Sequence, residues 1–128
     1  MAQVQSCKCS GKACAIVDPE TALGPAREYV LVQSKFYASA GEGDIRDGDM
    51  TKMLAARPDL KAFNGAAFQY RDVPLTAEAG ERIRLYVVNA GPTLFSAFHV
   101  VGALFDKVYI DGNPENVLHA VRRIGQRF

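Results

Sequence analysis

Residues 81 to 110, reading ERIRLYVVNAGPTLFSAFHVVGALFDKVYI, constrain the fold more than any other stretch of the chain. Ile83, Leu85 and Val87 alternate with Arg82, Arg84 and Tyr86, the period-two pattern of a strand with one buried and one wet face. The turn residues Asn89-Ala90-Gly91-Pro92 break this pattern, and a second β-rich run, Leu94 to Val101, carries His99, the only histidine in an apolar segment. Gly102 interrupts that run. Phe105 to Ile110 resumes it with Phe105, Val108 and Ile110, and Asp111-Gly112 ends it as a turn. Three strands in succession predict an antiparallel meander.

A chain of 128 residues with 48% hydrophobic content can fill one core, so one domain is expected. Fifteen basic against fourteen acidic residues, in no long block of either sign, give no nucleic-acid footprint. The N-terminus, MAQVQSCKCSGKAC, lacks the apolar stretch of an export signal, and no window has the length of a membrane helix. The expectation is a soluble chain with no membrane partner, cytoplasmic by default.

Cys7, Cys9 and Cys14 lie close together among Gly, Ser and Lys. Three is a poor number for a disulfide framework, and soft thiolates at short spacing suit zinc or copper(I). A closed site takes four ligands, and no further His or Cys lies nearby in sequence. The two readings are a thiolate metal site and a disordered, oxidisable leader over residues 1–14.

Ala15-Ile16-Val17 is β-prone and stops at Asp18-Pro19. Arg27 to Gln33 reads as a central strand, with Tyr29 and Leu31 on one side and Val30 and Val32 on the other. Residues 38 to 49 form a Gly- and Asp-rich loop ending in Asp49, an N-cap for a short helix over about 49–57 that Pro58 stops. Met50, Met53 and Leu54 would lay that helix against a sheet. Phe63, Phe68 and Tyr70 surround Asn64-Gly65 as an aromatic, core-packed corner, and Val73 to Ala77 reads as a strand. Asp44, Asp47 and Asp49 resemble a calcium loop only loosely, lacking its terminal Glu.

Taken in order, AIVDPE, REYVLVQSKFY, KAFNGAAFQYRDVPLTAEAGERIRLYVVNAGP and SAFHVVGALFDKVYIDG resemble the second cupredoxin domain of copper-containing nitrite reductases and bacterial two-domain multicopper oxidases. The resemblance covers roughly residues 15–113. It implies an all-β, cupredoxin-like Greek-key sandwich, and it implies a parent oxidoreductase that uses copper, is exported or periplasmic, and reduces nitrite to nitric oxide or acts as an oxidase. In that family the type 1 copper ligands belong to the first domain, and the other copper sites draw histidines from both domains. Of the family's site residues only His99 carries over. It matches a histidine beside the type 2 copper of nitrite reductases, where an imidazole can orient a bound anion and deliver a proton. The flanking positions that an oxidase would fill with imidazoles are Val101 and Ala103. The other reading of His99 is structural, a histidine hydrogen-bonded to a neighbouring carbonyl.

Beyond Asn113 the resemblance stops. Asn113 as N-cap, Pro114 at the first helical position and the stripe Val117, Leu118, Val121 and Ile124 predict an amphipathic helix over about 114–124. His119 would be a solvated residue on it. The tail reads more as the end of a truncated or frame-altered product than as a purposeful helix. The expected organisation is a leader (1–14), an incomplete cupredoxin-like domain (15–113) lacking its last strands, and a helical tail (114–128). With two histidines in all, the chain is expected to bind no copper alone. A partner chain supplying a first cupredoxin domain would restore a site, and exposed sheet edges would promote homo-oligomers or aggregates. The competing reading is a non-redox binding or assembly module on the same scaffold.

Overall fold

The computed structural model describes residues 2–6, 16, 20, 23–122 and 124–125, the first and last of these segments as backbone only. Cys7, Cys9 and Cys14 lie outside the described residues. The strands are β1 (Ala2–Ser6), β2 (Arg27–Phe36), β3 (Leu60–Phe63), β4 (Ile83–Asn89), β5 (Ala97–Phe98), β6 (Phe105–Tyr109), β7 (Val117–Val121) and β8 (Ile124–Gly125). Six of them form one sheet in the order β3-β2-β4-β1-β6-β7, and β5 pairs with β8 in a second, two-stranded sheet. The architecture is all-β, an incomplete cupredoxin-like sandwich with few short helices.

The meander expectation is corrected. β4 and β6 do not pair with each other; β1 lies between them, parallel to both. Two parallel strands cannot be joined by a tight turn and need a crossover of about a dozen residues or more. The connection from residue 90 to residue 104 is that crossover, and it lays Phe98 and Val100 over the apolar face of the sheet. The Asn89 to Pro92 turn residues are real punctuation, but they start a crossover rather than a hairpin. Residues 2–6, expected in a disordered leader, form a strand inside the sheet.

The parallel register of β2 on β4, Tyr29 opposite Leu85 and Leu31 opposite Val87, aligns one apolar face. Leu85, Val87, Phe105 and Val108 make the core there, with Phe105 and Val108 fully buried. Phe98 stacks on Phe105 at 6.2 Å and meets Phe63 edge-on at 6.5 Å, geometries that favour the ring quadrupoles. The opposite face of β4 is not wet as its alternation suggests: Arg84, Tyr86 and Val88 are also buried. A central strand has neighbours on both sides, so even its polar residues need partners. The register places Glu28 opposite Arg84, whose guanidinium donates to the Glu28 carboxylate and, at 2.7 Å, to the Gly24 carbonyl. The Tyr86 hydroxyl also donates to Glu28, at 3.2 Å. Burial alone would push the Arg84 pKa down, but its bonds to Glu28 and Tyr86 outweigh this and raise it. Burial raises the Tyr86 pKa.

At the other end of the sheet the helix expected over about 114–124 is replaced by β7, antiparallel to β6. Asn113 and Pro114 serve a turn instead of a cap: Asn116 N–H donates to the Asn113 carbonyl at 3.1 Å, and the Asn113 side chain accepts from Glu115 N–H at 3.0 Å. The same residues start turns and helices, and Val117 to Val121 finds a ladder on β6 that an isolated helix would lack.

The helix begun by Asp49 is borne out, as α1 (Met50–Leu54), with the Asp49 side chain accepting from Lys52 N–H at 2.9 Å. It is not laid on the sheet: Met50 and Leu54 are exposed, and no residue of α1 is buried. Polar ties hold it, with Lys52 Nζ donating to the Ala38 carbonyl at 2.7 Å and to Asp59 at 2.8 Å. The Asn64-Gly65 corner follows β3, and a short helix, α2 (Gln69–Asp72), follows the corner. Of its aromatics Phe63 is in the core contact with Phe98, whereas Phe68 is exposed beneath the Arg71 guanidinium. The strand expected over 73–77 is absent; Val73 and Leu75 are exposed, and the Tyr29 hydroxyl donates to the Thr76 carbonyl.

Candidate functional site around His99

The crossover between β4 and β6 determines where His99 stands. Phe98 is its anchor, held in the aromatic contacts of the core, and the next residue along the chain therefore faces away from that core. β5 pairs with β8 through Phe98 and Ile124, which brings Arg122 alongside. His99 Nδ1 lies 2.5 Å from the Arg122 carbonyl oxygen. A carbonyl only accepts, so Nδ1 carries the proton and donates. The tautomer is thereby fixed: neutral His99 offers Nε2 as an acceptor, and its cation offers Nε2–H as a donor. His99 is exposed, and so are Phe95, Val101 and Leu104 of the same connection.

The start of the crossover is pinned from β2. Lys35, on the same face as Leu31, is buried, and its Nζ donates to Asn89 Oδ1 at 2.6 Å and to the Leu94 carbonyl at 2.7 Å. Asn89 Nδ2 donates to the same Leu94 carbonyl at 2.8 Å. The Tyr37 hydroxyl is 2.5 Å from Thr93 Oγ1. A Cβ on Gly91 would stand 2.6 Å from Lys35 Nζ, so glycine is what lets the ammonium pass. Burial, then the charge of Lys61, lowers the Lys35 pKa. These clamp residues were missed in the sequence; the available signal was a lysine in the β2 pattern, QSKFY, with no acidic neighbour.

The remaining candidates do not converge on His99. His119 is exposed on β7 opposite Lys107, a strand position rather than a helical one. Asp49 spends its carboxylate on the α1 cap, and Asp44 and Asp47 are exposed. Among the described residues no three His, Cys, Asp or Glu side chains come together as a metal site, and His99 offers one free nitrogen. The described residues therefore do not fit a complete copper centre. Among them, too, no helix is long and apolar enough to cross a membrane.

No family model matches the chain. Copper-containing nitrite reductases of Neisseria meningitidis serogroup A and of Neisseria gonorrhoeae are each 41% identical over 109 residues, covering 80% of this chain. The chain spans 28% of the length of these relatives. Among solved structures, the copper nitrite reductase of Nitrosomonas europaea superposes with a TM-score of 0.72 at 37% identity, covering 88% of this chain and 41% of its own. The chain corresponds to a cupredoxin-like portion of the copper-containing nitrite reductases. The Cu-containing nitrite reductase of Thermus scotoductus agrees, with a TM-score of 0.69 at 31% identity over 81% of this chain and 22% of that one. The resemblance carried by the FNG corner and the PLTAEAGERIRLYVVNAGP run is thus borne out at the level of this family. Copper belongs to these relatives by name.

Proposed function

We propose that this chain is the second-domain scaffold of a nitrite reductase-like copper oxidoreductase, catalytic only when a first cupredoxin portion completes the site. Its contribution is His99, which orients a bound anion and supplies a proton through Nε2. The observation that carries this reading is the Nδ1 bond to the Arg122 carbonyl, which orients the ring while leaving its other nitrogen uncommitted. Reduction of nitrite to nitric oxide consumes protons, and an oriented imidazole is suited to deliver them. The chain alone is expected to hold no stoichiometric copper after reconstitution, checked by elemental analysis and EPR. A stoichiometric copper with a thiolate charge-transfer band would overturn this and turn attention to Cys7, Cys9 and Cys14.

The decisive experiment pairs the chain with the complementary N-terminal portion of a related nitrite reductase. His99→Ala should lower nitrite turnover about a hundredfold, the range of a lost general acid, with copper loading of the complex unchanged. Lowered thermal stability with full activity would instead make His99 structural. The second reading, a non-redox binding module, is favoured by the lack of converging ligands among the described residues. It predicts that the two portions bind each other without nitrite turnover.

A further inference from the structure

Beside the clamp on the crossover, one buried polar atom is left unsatisfied by the described residues: no group among them donates to Gln33 Oε1. Gln33 is two residues before Lys35 on the same face of β2, and its register partner on β4 is Asn89, the residue that accepts from Lys35. An ammonium has three N–H donors. Lys35 uses two of them, on Asn89 and Leu94, and among the described residues no carboxylate accepts from it. A buried acceptor without a donor and a buried cation with a spare donor thus lie on neighbouring positions of one strand face. Residues two apart on a strand are about 7 Å apart at Cα, a span that two long side chains and one water bridge readily.

We propose that one ordered water is bound at this end of the apolar face, donating to Gln33 Oε1 and accepting from Lys35 Nζ. The ligand class follows from the two groups: the occupant must donate to an amide oxygen, which excludes a simple anion, accept from an ammonium, which excludes a cation, and be small enough to reach a buried acceptor. Water meets all three conditions. The site extends the clamp on residues 89–94 back to Gln33, so that Gln33 and Lys35 of β2, and Tyr37 just beyond its end, hold the connection that carries His99. This inference stands independently of the proposed function.

The test rests on a difference in sign. Gln33→Met keeps the shape and removes the acceptor. If Gln33 Oε1 is truly orphaned, removing it relieves an unpaid desolvation and the melting temperature rises or stays level. If a water satisfies it, the melting temperature falls, by about 5 °C for one lost hydrogen bond in a domain of this size. In a Lys35→Met background the effect of Gln33→Met should shrink, because the bridge is already broken; an undiminished effect overturns the bridge. Should either variant fail to fold, the wild-type chain decides the matter. NMR magnetisation transfer from a long-lived water to the Gln33 side-chain amide is expected, and its absence, or a crystal structure with Lys35 Nζ bonded directly to Gln33 Oε1, overturns the proposal.

Discussion

Asn64 shows how much a single side chain can do at the end of a ladder. β3 stops at Phe63, yet the Asn64 amide continues its pairing on β2: Oδ1 accepts from Val32 N–H, and Nδ2 donates to the Val30 carbonyl, each at 2.8 Å. Nδ2 also donates to the Tyr70 hydroxyl at 2.6 Å, which ties α2 to the corner. The residue sits at φ +51 with Gly65 following at φ +84, the left-handed conformation that Asn tolerates better than other L-residues. The FNG signature thus reflects a structural need that is independent of any copper chemistry. Asn64→Ala should destabilise the chain by about 2 kcal/mol, combining lost hydrogen bonds with left-handed strain. Chemical denaturation would measure it, and a change below about 0.5 kcal/mol, the scatter of neutral surface substitutions, would contradict this account.

At the scale of elements, two short connections rely on charge rather than on apolar burial. Asp59 receives Lys52 from α1 and the Ala38 N–H, and Glu81 receives the Glu78 N–H and the Arg27 guanidinium at the entry to β2 and β4. For Asp59 the Lys52 hydrogen bond is the larger cause of a lowered pKa; for Glu81 it is the Glu78 backbone donor. A carboxylate whose folded pKa lies below its unfolded value adds stability above the unfolded value, and that stability is lost as pH falls through the folded value. The chain should therefore weaken on acidification below the ordinary carboxylate range, with a shallower loss in Asp59→Asn and Glu81→Gln. Melting curves across that range check it, and unchanged acid sensitivity in both variants would contradict the assignment. Charge-held elements are also where sequence reading fell short. Asp49 announced α1 correctly because a cap is local, whereas Met50 and Leu54 suggested apolar packing that Lys52 and Asp59 replace. Val117 to Val121 carried a helical stripe, but its fate was decided by a β6 partner beyond the reach of any local pattern. The central position of β2 was legible because Tyr29 to Val32 is apolar on both sides. His99 was legible as the residue to watch, while its Arg122 partner, 23 positions away, was not.

For the whole molecule, the incomplete sandwich makes its own edges a determinant of behaviour. The main sheet ends in β3 and β7, and the two are not equally open. β7 carries Ala120 at φ +54, a kink that interrupts regular pairing and blunts an edge against added strands. β6 lies behind it: its register against β1 shifts between Ala2 and Gln3, and its Phe105 and Val108 are fully buried, with the half-buried Val121 packed against the same core. Ending the chain at Asn113 would remove β7 and β8 together. It would expose the β6 ladder and uncover part of the core, and it would take away the Arg122 carbonyl that orients His99. We expect the shortened chain to form larger oligomers or aggregates than the full-length one, because a newly exposed ladder beside uncovered apolar surface invites pairing with another chain. Light scattering on both forms at matched concentration measures this. Equally monodisperse monomers would show that β7 is dispensable to the sheet and that the edge argument fails. A helical tail, by contrast, would leave the β6 ladder equally open in both forms, so the size difference between them reports directly on whether residues 117–121 pair as a strand in solution.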